Sequence, residues 1–178
     1  MAEDTNILIK GIYDAFVDQI YRYCSYRLYS KDLAEDATSV VFTRLVEQFP
    51  EIRHKSPLEI RQWLFGVASN VIAAHRRQKK HEQDTFRALS QVPDSGFVRD
   101  DPEFNRMDWP ILYRAMSQLN DRQQDILILR FHYAMEAPEI ARIVGMRPVA
   151  VRVMLMRTLR KLKELLQEPF EGNPPGSP

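Results

Sequence analysis

Residues 137–166, APEIARIVGMRPVAVRVMLMRTLRKLKELL, constrain the fold of this chain more than any other stretch. Apolar residues recur at helical spacing on both sides of one glycine. Before Gly145, Ile140, Ala141 and Val144 share a face; after it, Val151, Leu155, Leu159 and Leu162 do. Gly145 permits the positive φ that a tight turn between helices needs. Pro148 suits the first turn of the second helix, where its missing N–H leaves no intrahelical bond unmade. The small Ala141 lets the helices approach, and Val151 is placed to pack into the angle between them, in helix-turn-helix order. Arg147 precedes Pro148 where a Ser, Thr or Asp would cap, so about 1 kcal/mol of N-cap stabilisation is missing.

The second helix has a basic side: Arg147, Arg152, Arg157, Arg160, Lys161 and Lys163, with Glu164 as the nearby acid. Two readings fit. The helix docks in a DNA major groove, with side chains near its N-terminus reaching base edges, or it shows a solvated face in a helical bundle.

The 178 residues allow one domain or two small ones. Hydrophobic residues at 44% and charged residues at 28% fit a soluble globular chain. Few glycines and few alternating runs argue against a β-rich fold. No apolar run reaches the roughly 18 residues of a membrane span, and the acidic start MAEDTNILIK is unlike a signal peptide. Cys24 is the single cysteine, so no internal disulfide forms, and a cytoplasmic location is the default. The net charge of only +1 means that any grip on nucleic acid comes from segregated charge. It is segregated, because the end of each helical half is basic.

From Asn6 to Leu28 the chain reads as a helix with Ile12, Phe16, Ile20, Tyr23 and Arg27 in one stripe. Ser30 or Asp32 is placed to cap the next helix, Leu33 to Phe49. There Leu33, Ala37, Val41 and Leu45 form an i+4 row, widened by Ala34, Phe42, Val46 and Phe49. This apolar surface either meets a partner or lies buried between two neighbours. Pro50 is expected to end the helix and Glu51 to Pro57 to form a polar loop. A long helix follows from Leu58 to His81, with Ile60, Trp63, Leu64, Val67, Ala68, Val71 and Ile72 on its apolar face and HRRQKKH at its end. Cations there suit the helix macrodipole. Arg76, Arg77, Lys79 and Lys80 with Trp63 upstream equally suit a groove that holds phosphates and stacks bases.

Periodicity fades from Thr85 to Met107. Pro93, Gly96 and Pro102 accompany Asp94, Asp100, Asp101 and Glu103, as in an interdomain linker. It resumes with Ile111, Leu112, Ala115, Met116 and Leu119, then a helix capped by Asn120 or Asp121 that carries Ile126, Leu127 and Leu129. The tail EPFEGNPPGSP is expected to be disordered. The expectation is an all-α chain: two small helical domains, residues 1–84 and 108–168, joined by a flexible linker at 85–107, with a tail at 169–178. The C-terminal domain is the helix-turn-helix.

Three stretches in this order resemble the extracytoplasmic-function (ECF) sigma factors, small two-domain members of the sigma-70 family. LAEDATSVVFTRLVEQF, 33 to 49, is similar to the helix that binds the polymerase core. WLFGVASNVIAAHRR, 63 to 77, is similar to the helix that opens and holds the −10 promoter element. Residues 119–166 are similar to the domain that binds the −35 element. The resemblance implies an alternative sigma factor that docks on the β′ clamp of RNA polymerase core and reads promoter DNA at two points, by binding and without catalysis. It implies core contacts at Glu35, Asp36, Ser39, Phe42 and Arg44. At the −10 element it implies Trp63, Asn70 and Arg77, with Arg76, Lys79 and Lys80 in the same basic cluster; Trp63 reads equally as core. At the −35 element it implies Arg147, Pro148, Val149, Ala150, Arg152 and Arg157. Phosphate contacts of this kind set register and salt dependence more than sequence choice.

The chain departs from the family pattern at Ser39-Val40, where a Gln-acid pair is usual, and at Ser69, Ala74, Val153 and Met154. Phosphorylation of Thr38 or Ser39 by a Ser/Thr kinase would restore about −1.5 to −2 charge to the core-binding helix. An anti-sigma factor is a further partner that the resemblance suggests. A stand-alone helix-turn-helix regulator is the alternative, though it gives the helix at 33–49 and the Trp-bearing helix no task. For an enzyme the sequence offers little: His54, His75, His81 and His132 lack metal-ligand spacing, so no metal and no cofactor are expected.

Overall fold

The computed structural model describes residues 2–85 and 109–167. The expected linker from residue 86 onward and the expected tail lie outside them. The described residues form eight α-helices: α1 (Ala2–Leu28), α2 (Lys31–Glu47), α3 (Phe49–Ile52), α4 (Pro57–Thr85), α5 (Trp109–Ser117), α6 (Asp121–Phe131), α7 (Ala137–Val144) and α8 (Pro148–Gln167). None is long and apolar enough to cross a membrane.

Local chemistry sets most boundaries. Ser30 Oγ accepts from the Leu33 amide at 3.5 Å and starts α2. Ser56 and Glu59 cap α4 reciprocally: Ser56 Oγ accepts from the Glu59 amide, and the Ser56 amide donates to Glu59 Oε2. The Ser56 hydroxyl and amide hold the Glu59 carboxyl below its usual range. Asn120, not Asp121, caps α6, and Gln123 returns the bond at 3.0 Å. Gly145 ends α7 with φ 66° and ψ 42°, the left-handed conformation its sequence position predicts. The expected loop at 51–57 is partly helical, because Pro50 sits in the first turn of α3 rather than acting as a stop.

The first helical region packs α1, α2 and α4 around Ile20, Cys24, Val41, Leu45, Leu64, Ala68 and Ile72, all fully buried. The second packs α6, α7 and α8 around Ile126, Leu129, Ile140 and Val151, also fully buried. The expected core row on α8 is incomplete, since Leu159 is exposed and Thr158 takes the inward position. The two regions do not stand apart, as a flexible linker alone would suggest. Their buried apolar side chains form one continuous cluster, in which Phe65 of α4 meets Tyr133, which follows α6, edge to face at 4.7 Å.

Candidate nucleic-acid interface

The helix-turn-helix presents α8 outward. Val151, fully buried, anchors it in the angle with α7, where Ala141 is nearly sealed. Arg147 and Pro148 are exposed where the helix begins, Val149, Arg152, Arg157 and Arg160 are exposed along it away from Val151, and Ala150 is half-buried. Lys161 is tied back, its Nζ donating to the Gln118 carbonyl oxygen at 2.9 Å. This face offers fixed cations beside apolar side chains at the N-terminal half of the helix, the arrangement that enters a major groove.

The other predicted reading surface, on α4, is divided between sheltered and exposed residues. Trp63 is half-buried, and with exposed Asn70 it lines a cleft of about 450 Å³ between α4 and α7. Lys55, Glu59 and Gln62 share its near wall, and Arg142 and Ile143 of α7 form the far wall. Arg142 crosses the cleft, donating to Gln62 Oε1 at 3.3 Å. Gln62 Nε2 is buried and has no hydrogen-bond partner among the described residues. Arg77 is exposed, with its Nε on the Ala73 carbonyl oxygen at 3.2 Å. The side chains of Lys79 and Lys80 lie outside the described ones.

The expectation of a phosphate contact for Arg76 is corrected. Its guanidinium donates to Asp121 Oδ1 at 2.5 Å, to the Arg27 carbonyl oxygen at 2.5 Å and to Gln124 Oε1 at 3.1 Å. The nearest acid is supplied by α6, so the cation is spent within the protein.

Arg76 is the rim of a larger network. Arg27, fully buried, donates through Nε to Asp125 Oδ1 at 2.6 Å, through Nη1 to Gln124 Oε1 at 2.5 Å and through Nη2 to Asp121. Tyr23 Oη donates to Asp125 Oδ1 at 2.6 Å, and Ser69 Oγ to Asp125 Oδ2 at 2.8 Å. Each of these bonds joins the first helical region to the second. Burial pulls the Arg27 pKa down, but the charge of Asp125, the neighbouring Tyr23 and the hydrogen bonds to Asp125 and Asp121 together outweigh it and leave the guanidinium above its ordinary value. Burial and then the Asp125 charge raise Tyr23 well above a free phenol. Burial pushes Asp121 up, yet the adjacent Arg76 and Arg27 hold it below the usual carboxylate range.

On α2 the predicted core-binding residues divide. Glu35, Asp36, Ser39 and Arg44 are exposed along one side with Val40 and Val46. Phe42, expected among them, is buried instead, packed edge to face on Tyr13 at 4.8 Å. Thr38 is corrected as a modification site: its hydroxyl is buried and donates to the Ala34 carbonyl oxygen at 2.6 Å.

Two family profiles match this chain. One is sigma-70 region 2, over residues 12–82, and the other is sigma-70 region 4, over residues 110–162. The chain belongs to the sigma-70 family of sigma factors. It is 28% identical to the ECF RNA polymerase sigma factor BldN of Streptomyces coelicolor, over 88% of this chain and 60% of that one. It is 26% identical to the ECF RNA polymerase sigma factor SigX of Bacillus subtilis, over 88% of this chain and 84% of that one. The sigma factor RpoE of Bartonella quintana, solved with the anti-sigma factor NepR, superposes with a TM-score of 0.71 at 19% identity. That match covers 90% of this chain and 97% of RpoE, and it shows the fold.

In this sigma factor the structure therefore leaves the α8 residues open and places Trp63 and Asn70 along the cleft that α7 borders. Sequence reasoning missed Asp121, Gln124 and Asp125 as the partners that bind the two regions. A signal was present: Arg27 falls on the apolar stripe of α1, and Asp125 directly precedes the run ILIL of α6. A charge at core spacing is buried only with a partner, and each of these residues supplies the other's.

Proposed function

We propose that this sigma factor binds RNA polymerase core through the exposed side of α2 and directs initiation at promoters read by α4 and α8. The single observation that carries this is the outward face of α8: exposed arginines held on a helix whose opposite side is locked by Val151. Glu35, Asp36, Ser39 and Arg44 are the core contacts in this reading, with Val40 and Val46 beside them. Arg147, Pro148, Val149, Ala150, Arg152 and Arg157 form the −35 surface. Trp63, Asn70, Arg77, Lys79 and Lys80 form the −10 surface, where unpaired bases need a stacking side chain and phosphate-binding cations. The chain acts by binding in the cytoplasm and carries out no catalysis of its own. An anti-sigma protein is a further partner in this reading, as NepR is for the Bartonella relative.

Ser39 supplies a control point on the same surface. It is exposed, and a phosphate there adds about −1.5 to −2 charge beside Glu35 and Asp36. Ser39→Asp is expected to raise affinity for core over wild type, measured by fluorescence anisotropy. Unchanged affinity removes the switch. The main reading is tested by run-off transcription with purified core on a pool of promoter fragments. The expected result is transcripts starting at a defined subset that core alone does not use. A chain that neither binds core nor redirects initiation overturns it.

A further inference from the structure

We infer that α8 selects its −35 sequence through thymine methyl groups, with Val149, Val153 and Met156 as the specificity-determining side chains; this rests on α8 being the −35 helix. The three residues are spaced i, i+4 and i+7 and lie on the side of α8 opposite Val151 and Thr158. Their exposures are 66%, 39% and 61%, while Val151 and Thr158 are fully buried. Three apolar side chains in a row facing water on a helix flanked by arginines need an apolar surface to cover them that also carries negative charge. The major groove supplies both, with methyl groups on its floor and phosphates at its walls.

The alternatives for base reading are few. Between 147 and 160 the chain has no Asn, Gln, Ser, Asp or Glu, and its one hydroxyl, Thr158, points inward. Side chains that read adenine or cytosine by hydrogen bonding are thus missing from this face. Arg152, Arg157 and Arg160 border the row and are spaced to reach phosphates or a guanine edge. The feature an aliphatic side chain recognises in the major groove is the C5-methyl of thymine.

Deoxyuridine removes that methyl and leaves every pairing and hydrogen-bonding edge in place. Promoters selected by run-off transcription are resynthesised with deoxyuridine at each −35 thymine in turn, and binding by the sigma–core complex is measured. A loss of about three- to fivefold is expected at each contacted methyl, the size of one buried carbon. The triple variant Val149→Ser, Val153→Ser, Met156→Gln is expected to bind thymine and deoxyuridine promoters equally. Deoxyuridine without effect, a penalty that survives in the triple variant, or selected −35 elements lacking thymine each overturn methyl reading while leaving the sigma function standing. Failure to bind core or to start transcripts overturns both.

Discussion

Two basic helices behave differently in this molecule. On α8 the arginines at 147, 152, 157 and 160 are exposed around an apolar row. On α4 Arg76 is drawn into Asp121 and Gln124 and Trp63 is half-buried beside α7, while Asn70 and Arg77 stay exposed. The two look alike as sequence, each a cationic run at the end of a helical half. The difference is made by α6, whose N-terminal turns carry the acids that meet α4. Cationic sequence becomes cationic surface only where no neighbour brings acids to it.

The contrast breaks most directly at Arg27. Arg27→Met leaves Asp125 buried without its cation, and a loss of about 3–5 kcal/mol in unfolding free energy is expected by denaturant titration. A loss below about 1 kcal/mol would show that the two regions do not depend on this pair. Arg76→Ala is expected to lower stability by about 1–2 kcal/mol, reduced from a fully buried pair because Arg76 and Asp121 are 29% and 40% exposed. By contrast Arg152→Ala, on the open helix, is expected to leave stability nearly unchanged. It should instead lower the salt dependence of promoter binding by about one phosphate contact, read from log K against log salt. Equal effects of the two substitutions on stability and on salt slope would erase the distinction.

Asn120→Ala sharpens the comparison by loosening α6 where it presents Asp121. About 1 kcal/mol is expected from the lost cap, visible in the thermal midpoint. The smallest effect is with pH. Asp121 titrates below the usual carboxylate range, so its stabilisation is complete above its unfolded value, about 3.9, and is lost as pH falls through the lowered folded value. Stability followed by circular dichroism is expected to be flat for this group from neutrality to about pH 5 and to fall below about pH 4. Asp121→Asn is expected to flatten part of that fall; an identical acid profile would show that Asp121 contributes nothing there.

Features that depend on near neighbours along the chain are legible in the order of residues. Gly145 at positive φ, a cap at Asn120 or Asp121 and the inward Val151 follow from residue type and helical spacing, which act within a turn or two; the structure gives the cap to Asn120. The stripe on α1 that ends at Arg27 is legible as a stripe, but its last member is not legible as a buried charge. Phe42 and Thr38 belong to a row with more apolar surface than one neighbour needs. Only packing against Tyr13 and within α2 decides that they turn inward while Ser39 turns outward.

The amino-acid order by itself determined the long helices, the turn before α8 and the place of this chain among sigma factors. Those depend on periodicity and on motifs a few residues long. Which of its cations meet solvent was decided by tertiary structure alone. Arg27 and Asp125 are 98 positions apart, and nothing local to either encodes the other. The physical reason is that a helix specifies a face, whereas the charge left on that face depends on which acid another helix delivers to it.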